Sequence, residues 1–335
     1  DVSLLSENML LDDDLYEALS ESKQKFWSIF SPVGEAKIDY NIYKQSGSEA
    51  FKLLNVDLTG ITASCRYFPY EVENISGRLV FEGNDVNVEG LESVVDERRI
   101  TFDGYINGAS KDDVSYDIEV GVENVELDEK LGAALSANQK FLYDEFISGG
   151  VADANIRVFN DGGAADEGDF EAELFPKRLE LKLNGGGLCF ERMRGAVRVS
   201  EEVVEFMELS GEGICGRVSF GGKVWGAEER FGYDVDIRGE GAELSDELFS
   251  LMPAGSLVDD FLVERSGAID YEVVLSKELE TDNPDYRIVV DCLGNEVKFK
   301  SLNYPLKNLR GRVKITEGGL EFDKLGREVL GAANG

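Results

Sequence analysis

The sequence predicts a mainly β protein, a β-rich α+β chain in which an elongated, curled antiparallel sheet carries one short helical segment in each of about three repeats of roughly 117 residues. Two landmarks keep this period. A segment of helical spacing starts at residues 11, 127 and 244, and a glycine opens an alternating strand at Gly34, Gly150 and Gly267. The intervening strands are joined by short turns, which favours antiparallel pairing and leaves no room for βαβ crossovers.

The period divides the chain into three repeats, residues 1–122, 123–239 and 240–335, which we expect to form one continuous array. The third repeat lacks a counterpart of the strand that closes the first, so we expect it to be truncated. The chain has neither an initiator Met nor a basic and then apolar leader, which indicates a processed form or a piece of a longer protein.

The composition bears on two kinds of partner, membranes and nucleic acids. The 335 residues are 42% hydrophobic, with no apolar run near the ~18 residues of a membrane span, so we expect a soluble chain. The net charge of -33 is spread over all three repeats and repels phosphate, so no nucleic acid partner is expected. Such a surface keeps a sheet-rich molecule soluble and its strand edges apart.

Catalytic chemistry is poorly represented. Histidine is absent, which removes Ser-His and Cys-His nucleophile pairs and histidine metal sites. No nucleophile elbow occurs, and no carboxylate pair recurs beyond what caps and turns explain. We therefore expect no enzyme activity, no catalytic residue, no metal site and no cofactor.

The four cysteines leave two interpretations open. Cys65, Cys189, Cys215 and Cys292 show no Cys-x-x-Cys spacing. In an oxidising compartment three pairings are possible, with Cys189–Cys215 the nearest pair in sequence. Alternatively, each is an isolated small apolar residue within a strand.

Each repeat opens with a predicted helical segment. Residues 9–30 have the spacing of one or two short amphipathic helices, and the counterparts are residues 127–146 and 244–252, the last stopped by Pro253. Acidic residues follow the first leucine in each copy. A cation site is one interpretation of residues 12–14, but helix capping explains all three copies.

Alternating strands follow each helix. The predicted strands are residues 37–43, 54–58, 67–72, 78–81, 86–88, 100–102 and 114–122, then 151–159, 179–183, 195–199 and 231–237, then 268–276, 286–292 and 311–315. The loop 160–169 has oxygen ligands suited to calcium but no EF-hand ladder, so we interpret it as a solvated turn. Glycines 185–187 lack the residues of a phosphate loop, which favours a bulge.

A long sheet with one apolar face must cover that face, curl, or bind something apolar. A self-packed sandwich with a dry interior is one outcome, and a curled sheet with an open apolar trough is the other. The candidate trough-lining residues are Val114, Tyr116, Ile118, Val120, Leu179, Leu181, Leu183, Phe231, Tyr233, Val235, Ile237, Tyr286, Ile288 and Val290.

Two short motifs carry a family resemblance. The segment Pro305-Leu306-Lys307-Asn308-Leu309-Arg310-Gly311 resembles the Pro-apolar-x-Asn-apolar-x-Gly segment of AsmA-like proteins of bacterial double-membrane envelopes, with a looser copy from Pro69 to Gly77. The strand starts Gly150-x-x-Asp153 and Gly267-x-x-Asp270 are also similar. The second repeat departs from the pattern, with Met193-Arg194-Gly195 lacking the Pro and Asn, and Lys37 replaces the strand-start Asp in the first.

The resemblance implies a repeating β-groove, a taco-shaped sheet related to bridge-like lipid transfer proteins. It implies a periplasmic segment that binds phospholipid acyl chains and supports lipid transport and outer-membrane biogenesis. The full-length protein would contact membranes at its ends, with an inner-membrane anchor outside the given sequence and envelope proteins as further partners. The alternative is a structural or outer-membrane-assembly spacer with a dry interior and protein partners.

Overall fold

The computed structural model describes residues 1–47, 50–109, 113–163, 168–183, 186–227, 230–245, 248, 262–279, 281, 284–301, 304–316 and 319–327. Strands account for 72% of the described residues and helices for 11%. The predicted fold class is therefore confirmed: the protein is mainly β, with an antiparallel sheet that curls and few, short helices.

The strands of the described residues are β1 (Val2–Leu11), β2 (Gly34–Tyr43), β3 (Phe51–Cys65), β4 (Phe68–Glu82), β5 (Asp85–Val95), β6 (Arg98–Asn107), β7 (Ser115–Glu126), β8 (Ile147–Asn160), β9 (Asp169–Leu183), β10 (Gly186–Val199), β11 (Val203–Gly213), β12 (Gly216–Ala227), β13 (Arg230–Glu243), β14 (Leu262–Ser266), β15 (Ala268–Lys277), β16 (Asp285–Phe299), β17 (Leu306–Thr316) and β18 (Gly319–Arg327). The helices are α1 (Asp13–Ala18), α2 (Glu21–Phe30), α3 (Glu129–Ala134) and α4 (Ala137–Phe146).

The strands pair with their neighbours along the chain as an antiparallel meander. From β1 to β8 each strand pairs with the next, and the same holds from β11 to β13 and from β15 to β18. Strands β14 and β15 pair with successive parts of β16, Ser266 with Glu296 and Ile269 with Cys292. They are thus one long strand broken at Gly267. Counted in this way, the described part of the chain forms a sheet of 17 strands.

The contacts group the chain into two compact units. Unit 1 comprises residues 1–140, 151–174 and 199–201, and unit 2 comprises residues 141–150, 175–198 and 202–335. The division into three sequence repeats stays a prediction.

Side-chain caps begin the helical segments, as the sequence predicts. Asp12 and Asp128 accept hydrogen bonds from the backbone N–H of Leu15 at 3.0 Å and of Leu131 at 2.9 Å. Ser245 Oγ accepts one from Leu248 N–H at 3.2 Å. The capping interpretation is confirmed, because the acidic and hydroxyl side chains supply the acceptors that the first helical turn lacks.

Two details of the helical segments differ from prediction. Residues 127–146 form two helices, α3 and α4, because the backbone turns extended at Leu135 (φ -70, ψ 153). Residues 9–11 belong to β1, a strand that the sequence analysis did not predict; its residues gain backbone partners from β2. Of the predicted helix 244–252, the structure describes only residues 244, 245 and 248, and the remainder lies outside the described residues.

Beta-bulges interrupt the ladders at recurring places. The register shifts between Val88 and Leu91, between Val122 and Val125, and between Gly239 and Ala242. Each shift contains a left-handed residue: Gly90 (φ 56), Asn124 (φ 56) and Gly241 (φ 66). A bulge bends its strand and increases its twist, so these positions curl the sheet within each unit.

Candidate functional site

The ladder registers of unit 1 place the apolar residues of successive strands on one face. Residues directly opposite each other in an antiparallel pair point to the same side of the sheet. The unit 1 apolar face, as we name it, comprises Ala36, Ile38, Val56, Leu58, Leu79, Phe81, Val86, Val88, Leu91, Ile100, Phe102, Ile106, Tyr116, Ile118, Val120, Val122, Ala154, Ile156 and Val158. Every strand from β2 to β8 contributes apolar residues to it.

Three of the predicted lining residues in unit 1 lie on this face. Tyr116, Ile118 and Val120 in β7 are half-buried and pair with residues of β6 and β8. Val114 precedes β7 and is buried at 5% exposure, where its backbone N–H donates to the Gly163 carbonyl at 3.0 Å. Val114 is therefore a packed residue at the strand end.

Unit 2 has a comparable face. The unit 2 apolar face comprises Val204, Phe206, Leu209, Val218, Phe220, Val224, Phe231, Tyr233, Val235, Ile237, Ile269, Tyr271, Val273, Leu275, Tyr286, Ile288, Val290, Val313 and Ile315. The register brings together the odd positions of residues 231–237 and the even positions of residues 286–290, two predicted sets that lie about fifty residues apart in the sequence. Their side chains share one surface through β15, which lies between β13 and β16.

Accessibility varies along the unit 2 face. Phe231, Tyr233, Val235, Ile237 and Tyr286 are half-buried. Ile288 has 0% exposure and Val290 has 8%, so the part of the face around them is packed. The accessible apolar surface therefore lies towards the Phe231 and Tyr286 end.

Of the predicted trough-lining residues of β9, only one is both described and partly accessible. Leu179 is buried at 9% exposure and Leu181 is half-buried. The side chain of Leu183 lies outside the described residues. In the loop 160–169 and the glycine segment 185–187, residues 164–167 and Gly185 are also outside the described residues. Asn160 and Gly162 form a local turn, with Gly162 N–H donating to Asn160 Oδ1 at 2.8 Å.

Helices cover part of each face. In unit 1, Leu15 of α1 and Trp27 of α2 pack against a buried cluster of β1 to β6. Phe26 of α2 meets Phe81 edge-on at 5.9 Å. In unit 2, Phe141 and Phe146 of α4 contact the Phe231 ring at 5.8 and 6.3 Å. The helices therefore cover only part of each apolar face. Half-buried strand residues remain beside the covered ones.

Sequence reasoning missed most contributors from the shorter strands. Phe102 in β6 and Leu275 in β15 lie on the faces, although neither was among the predicted residues. Part of the signal was present, because Ile100 and Phe102 alternate with polar residues, although Gly104 and Tyr105 break the pattern before Ile106. The bulges lie in the neighbouring strands β5 and β13, where one extra residue shifts the register, so the pattern of β6 or β15 alone does not show which surface its apolar residues join.

The opposite face is polar and crossed by ion pairs. Arg157 donates to both carboxylate oxygens of Asp117 at 2.9 and 2.7 Å, and Arg312 does the same to Asp291 at 2.8 Å for both bonds. Hydrogen bonding from these guanidinium groups lowers the pKa of Asp117 and of Asp291. Exposed pairs of this kind contribute register and solubility more than stability.

All four cysteines are free thiols. Cys189 is exposed in β10, where the next residue, Phe190, is buried and stacks edge-on against Phe220 at 5.3 Å. Cys215 is buried in the β11–β12 turn, and its carbonyl accepts a hydrogen bond from Tyr271 Oη at 3.2 Å. Burial raises the pKa of both Cys215 and Tyr271. Of the two interpretations left open by the sequence, the structure matches isolated cysteines within or beside strands, since Cys189 and Cys215 are not joined.

Other types of site find little support in the described residues. No group of three or more Cys, Asp or Glu side chains in them is arranged to hold a metal ion. No helix among them is long and apolar enough to cross a bilayer. An open depression on the polar side of unit 2 is lined by Arg192, Glu212 and Arg217, but both arginines are ion-paired with Glu212. The apolar faces are therefore the candidate functional surfaces.

Comparisons with protein-family models, curated proteins and solved structures find no match to this chain. The resembling motifs nevertheless have a clear physical role. Asn74 and Asn308 adopt left-handed backbone (φ 57 and 55), and Gly77 and Gly311 follow three residues later at φ 135 and 137. The spacing of Asn and Gly thus suits two unusual backbone conformations within one strand.

Proposed function

We propose that this chain binds acyl lipids on its apolar sheet faces, as a segment of an AsmA-like envelope protein that supports phospholipid transport between membranes. The observation that carries the proposal is the shared apolar register of each unit, in which half-buried side chains of adjacent strands form one surface. The periplasmic location and the membrane contacts of a longer protein are part of the same proposal.

Physical chemistry favours a hydrophobic ligand for such a surface. Burying apolar area contributes about 25 cal/mol per Å², so one acyl chain laid along the face gains several kcal/mol without a directional contact. Contacts of this kind do not fix a ligand at one position, which is compatible with lipid sliding along the strands. The ion-paired opposite face, with Arg157–Asp117 and Arg312–Asp291, keeps the other side in water.

The alternative is a structural or assembly spacer whose interior is dry. The packing of Trp27, Phe141 and Phe146 over parts of the faces favours it. The two functions differ in one measurable property, since a spacer with self-packed faces carries no lipid.

The test is mass spectrometry of an organic extract of the purified chain, with the double variant Ile118→Asp, Val235→Asp beside the wild type. A carboxylate on an apolar surface is costly to bury, so we expect the co-purified acyl lipid to fall at least about tenfold. The matched control is Asn155→Asp, Ser219→Asp, which adds the same two charges to exposed positions on the opposite face.

Circular dichroism must show that both variants keep their β-sheet content. Wild-type protein without lipid above the level of a blank extract contradicts the proposal and favours the spacer. Equal lipid content in the two double variants contradicts it as well, since the face would then be irrelevant to binding.

A further inference from the structure

Two cations lie on the apolar faces rather than on the polar side. In β6, Arg98 is two residues from Ile100 and points to the same side of the sheet, towards the unit 1 apolar face. In β15, Lys277 is directly opposite Tyr233, a residue of the unit 2 apolar face. Both side chains are half-buried. A charge placed beside apolar surface is costly unless something compensates it.

Aromatic rings, not carboxylates, hold these two cations. The Arg98 guanidinium lies 5.8 Å from the centre of the Tyr70 ring, and its Nη1 donates to Tyr70 Oη at 2.8 Å. Lys277 Nζ lies 4.6 Å from the centre of the Phe231 ring. Cation–π contacts of this kind stabilise the cation but leave most of its hydrogen-bond donors available.

Neither cation has an acidic partner among the described residues. This is unusual in a chain with 67 acidic and 34 basic residues, where many polar-face arginines are ion-paired. The Nε atom of Arg98 is also buried without a hydrogen-bond partner. A buried guanidinium nitrogen that lacks an acceptor is a free-energy cost that an anionic ligand would remove.

From this geometry we propose that the apolar faces take amphiphiles with an anionic headgroup, a phosphate ester, bound through Arg98 in unit 1 and Lys277 in unit 2. The inference rests on the proposed function, because the acyl chain would lie on the apolar face beside each cation. The ring contacts hold each cation near the apolar surface, so the headgroup and the chain are recognised together. A neutral lipid of the same chain length would gain only the apolar contribution.

The experiment compares two probes with identical acyl chains, dioleoyl phosphatidylglycerol and dioleoylglycerol, presented to the delipidated full chain in detergent and measured by native mass spectrometry. Wild-type protein should retain the anionic lipid preferentially. In Arg98→Gln, Lys277→Gln, retention of phosphatidylglycerol should fall at least about tenfold, the loss expected for a charge-assisted hydrogen bond. Retention of dioleoylglycerol should not change.

The matched control is Arg99→Gln, Lys223→Gln. Arg99 is next to Arg98 on the opposite face, ion-paired with Glu92, and Lys223 lies 5.3 Å from the centre of the Trp225 ring on the opposite face of β12. This control removes the same two charges and should leave both lipids bound as in the wild type.

Three results overturn the headgroup inference: equal retention of the two lipids by wild-type protein, equal losses of phosphatidylglycerol in the two double variants, or a parallel loss of dioleoylglycerol. The proposed function survives each of them, since acyl lipid is still bound by the wild type. If wild-type protein retains neither lipid, the proposed function itself fails.

Discussion

Asp153 accepts a hydrogen bond at 2.8 Å from the backbone N–H of Asn124, the left-handed residue at the bulge of the neighbouring strand. Asp270 makes the same contact with the N–H of Gly241, also at 2.8 Å. These contacts explain the Gly-x-x-Asp strand start. At a β-bulge one backbone N–H has no partner in the hydrogen-bond pattern of the sheet, and the aspartate carboxylate accepts its hydrogen bond. In the first repeat, Lys37 replaces the aspartate and instead lies 3.3 Å from the Glu7 carboxylate of β1.

Removing one of these carboxylates should destabilise the fold. In Asp153→Ala the Asn124 N–H loses its acceptor, and we expect the free energy of unfolding to fall by about 1–2 kcal/mol. Urea unfolding followed by circular dichroism measures the change. Glu119→Ala, an exposed carboxylate on β7, is the control and should alter stability by less than about 0.5 kcal/mol. Equal effects of the two substitutions would show that the bulge contact is unimportant.

Gly77 should tolerate no side chain. Its φ is 135, and a Cβ atom there would lie 2.5 Å from the Gly90 carbonyl oxygen and 2.9 Å from the Leu91 Cα. The alanine backbone would be strained at this φ, and its Cβ would clash with main-chain atoms that cannot move aside. Gly77→Ala should therefore lower the free energy of unfolding by about 2 kcal/mol or more. Gly187→Ala is the control, because a Cβ at Gly187 meets no atom within 4 Å. Thermal unfolding of both variants checks the prediction, and a stable Gly77→Ala protein contradicts it.

The Arg157–Asp117 pair should give stability a defined pH dependence. Arg157 lowers the pKa of Asp117 in the folded state below its ordinary value of about 3.9. The folded state thus binds fewer protons, so the contribution of the pair is fully present above the unfolded pKa and is lost as the pH falls through the folded pKa. Arg157→Gln should therefore reduce stability at neutral pH, and the difference from wild type should shrink as the pH falls through the lowered pKa of Asp117.

Chemical denaturation at a series of pH values measures this difference. Arg194→Gln removes an exposed arginine that has no acidic partner among the described residues, and it should show no such pH dependence. A difference for Arg157→Gln that persists unchanged in acid would mean that the arginine acts through packing against Phe159, whose ring centre lies 4.8 Å away.

Much of the architecture could be predicted from local patterns. Alternation in residues 114–122 identified β7 and its apolar side, and the leucine-acidic starts identified the helix caps at Asp12, Asp128 and Ser245. These features depend on residues a few positions apart, which is the range that periodicity and capping patterns report. Strand β1 was missed because its role depends on pairing with residues 34–42, more than twenty positions away.

The sequence by itself determined that the chain is a mainly β protein with helical interruptions and one apolar side per strand, because side-chain alternation and turn residues are local properties. Tertiary structure decided which of those sides share a surface. Ladder registers, shifted at bulges such as Asn124 and Gly241, join residues 231–237 to residues 286–290 through β15. They also place Arg98 and Lys277 beside aromatic rings, Tyr70 and Phe231, because a register is set by pairing between distant strands and not by the residues of one strand.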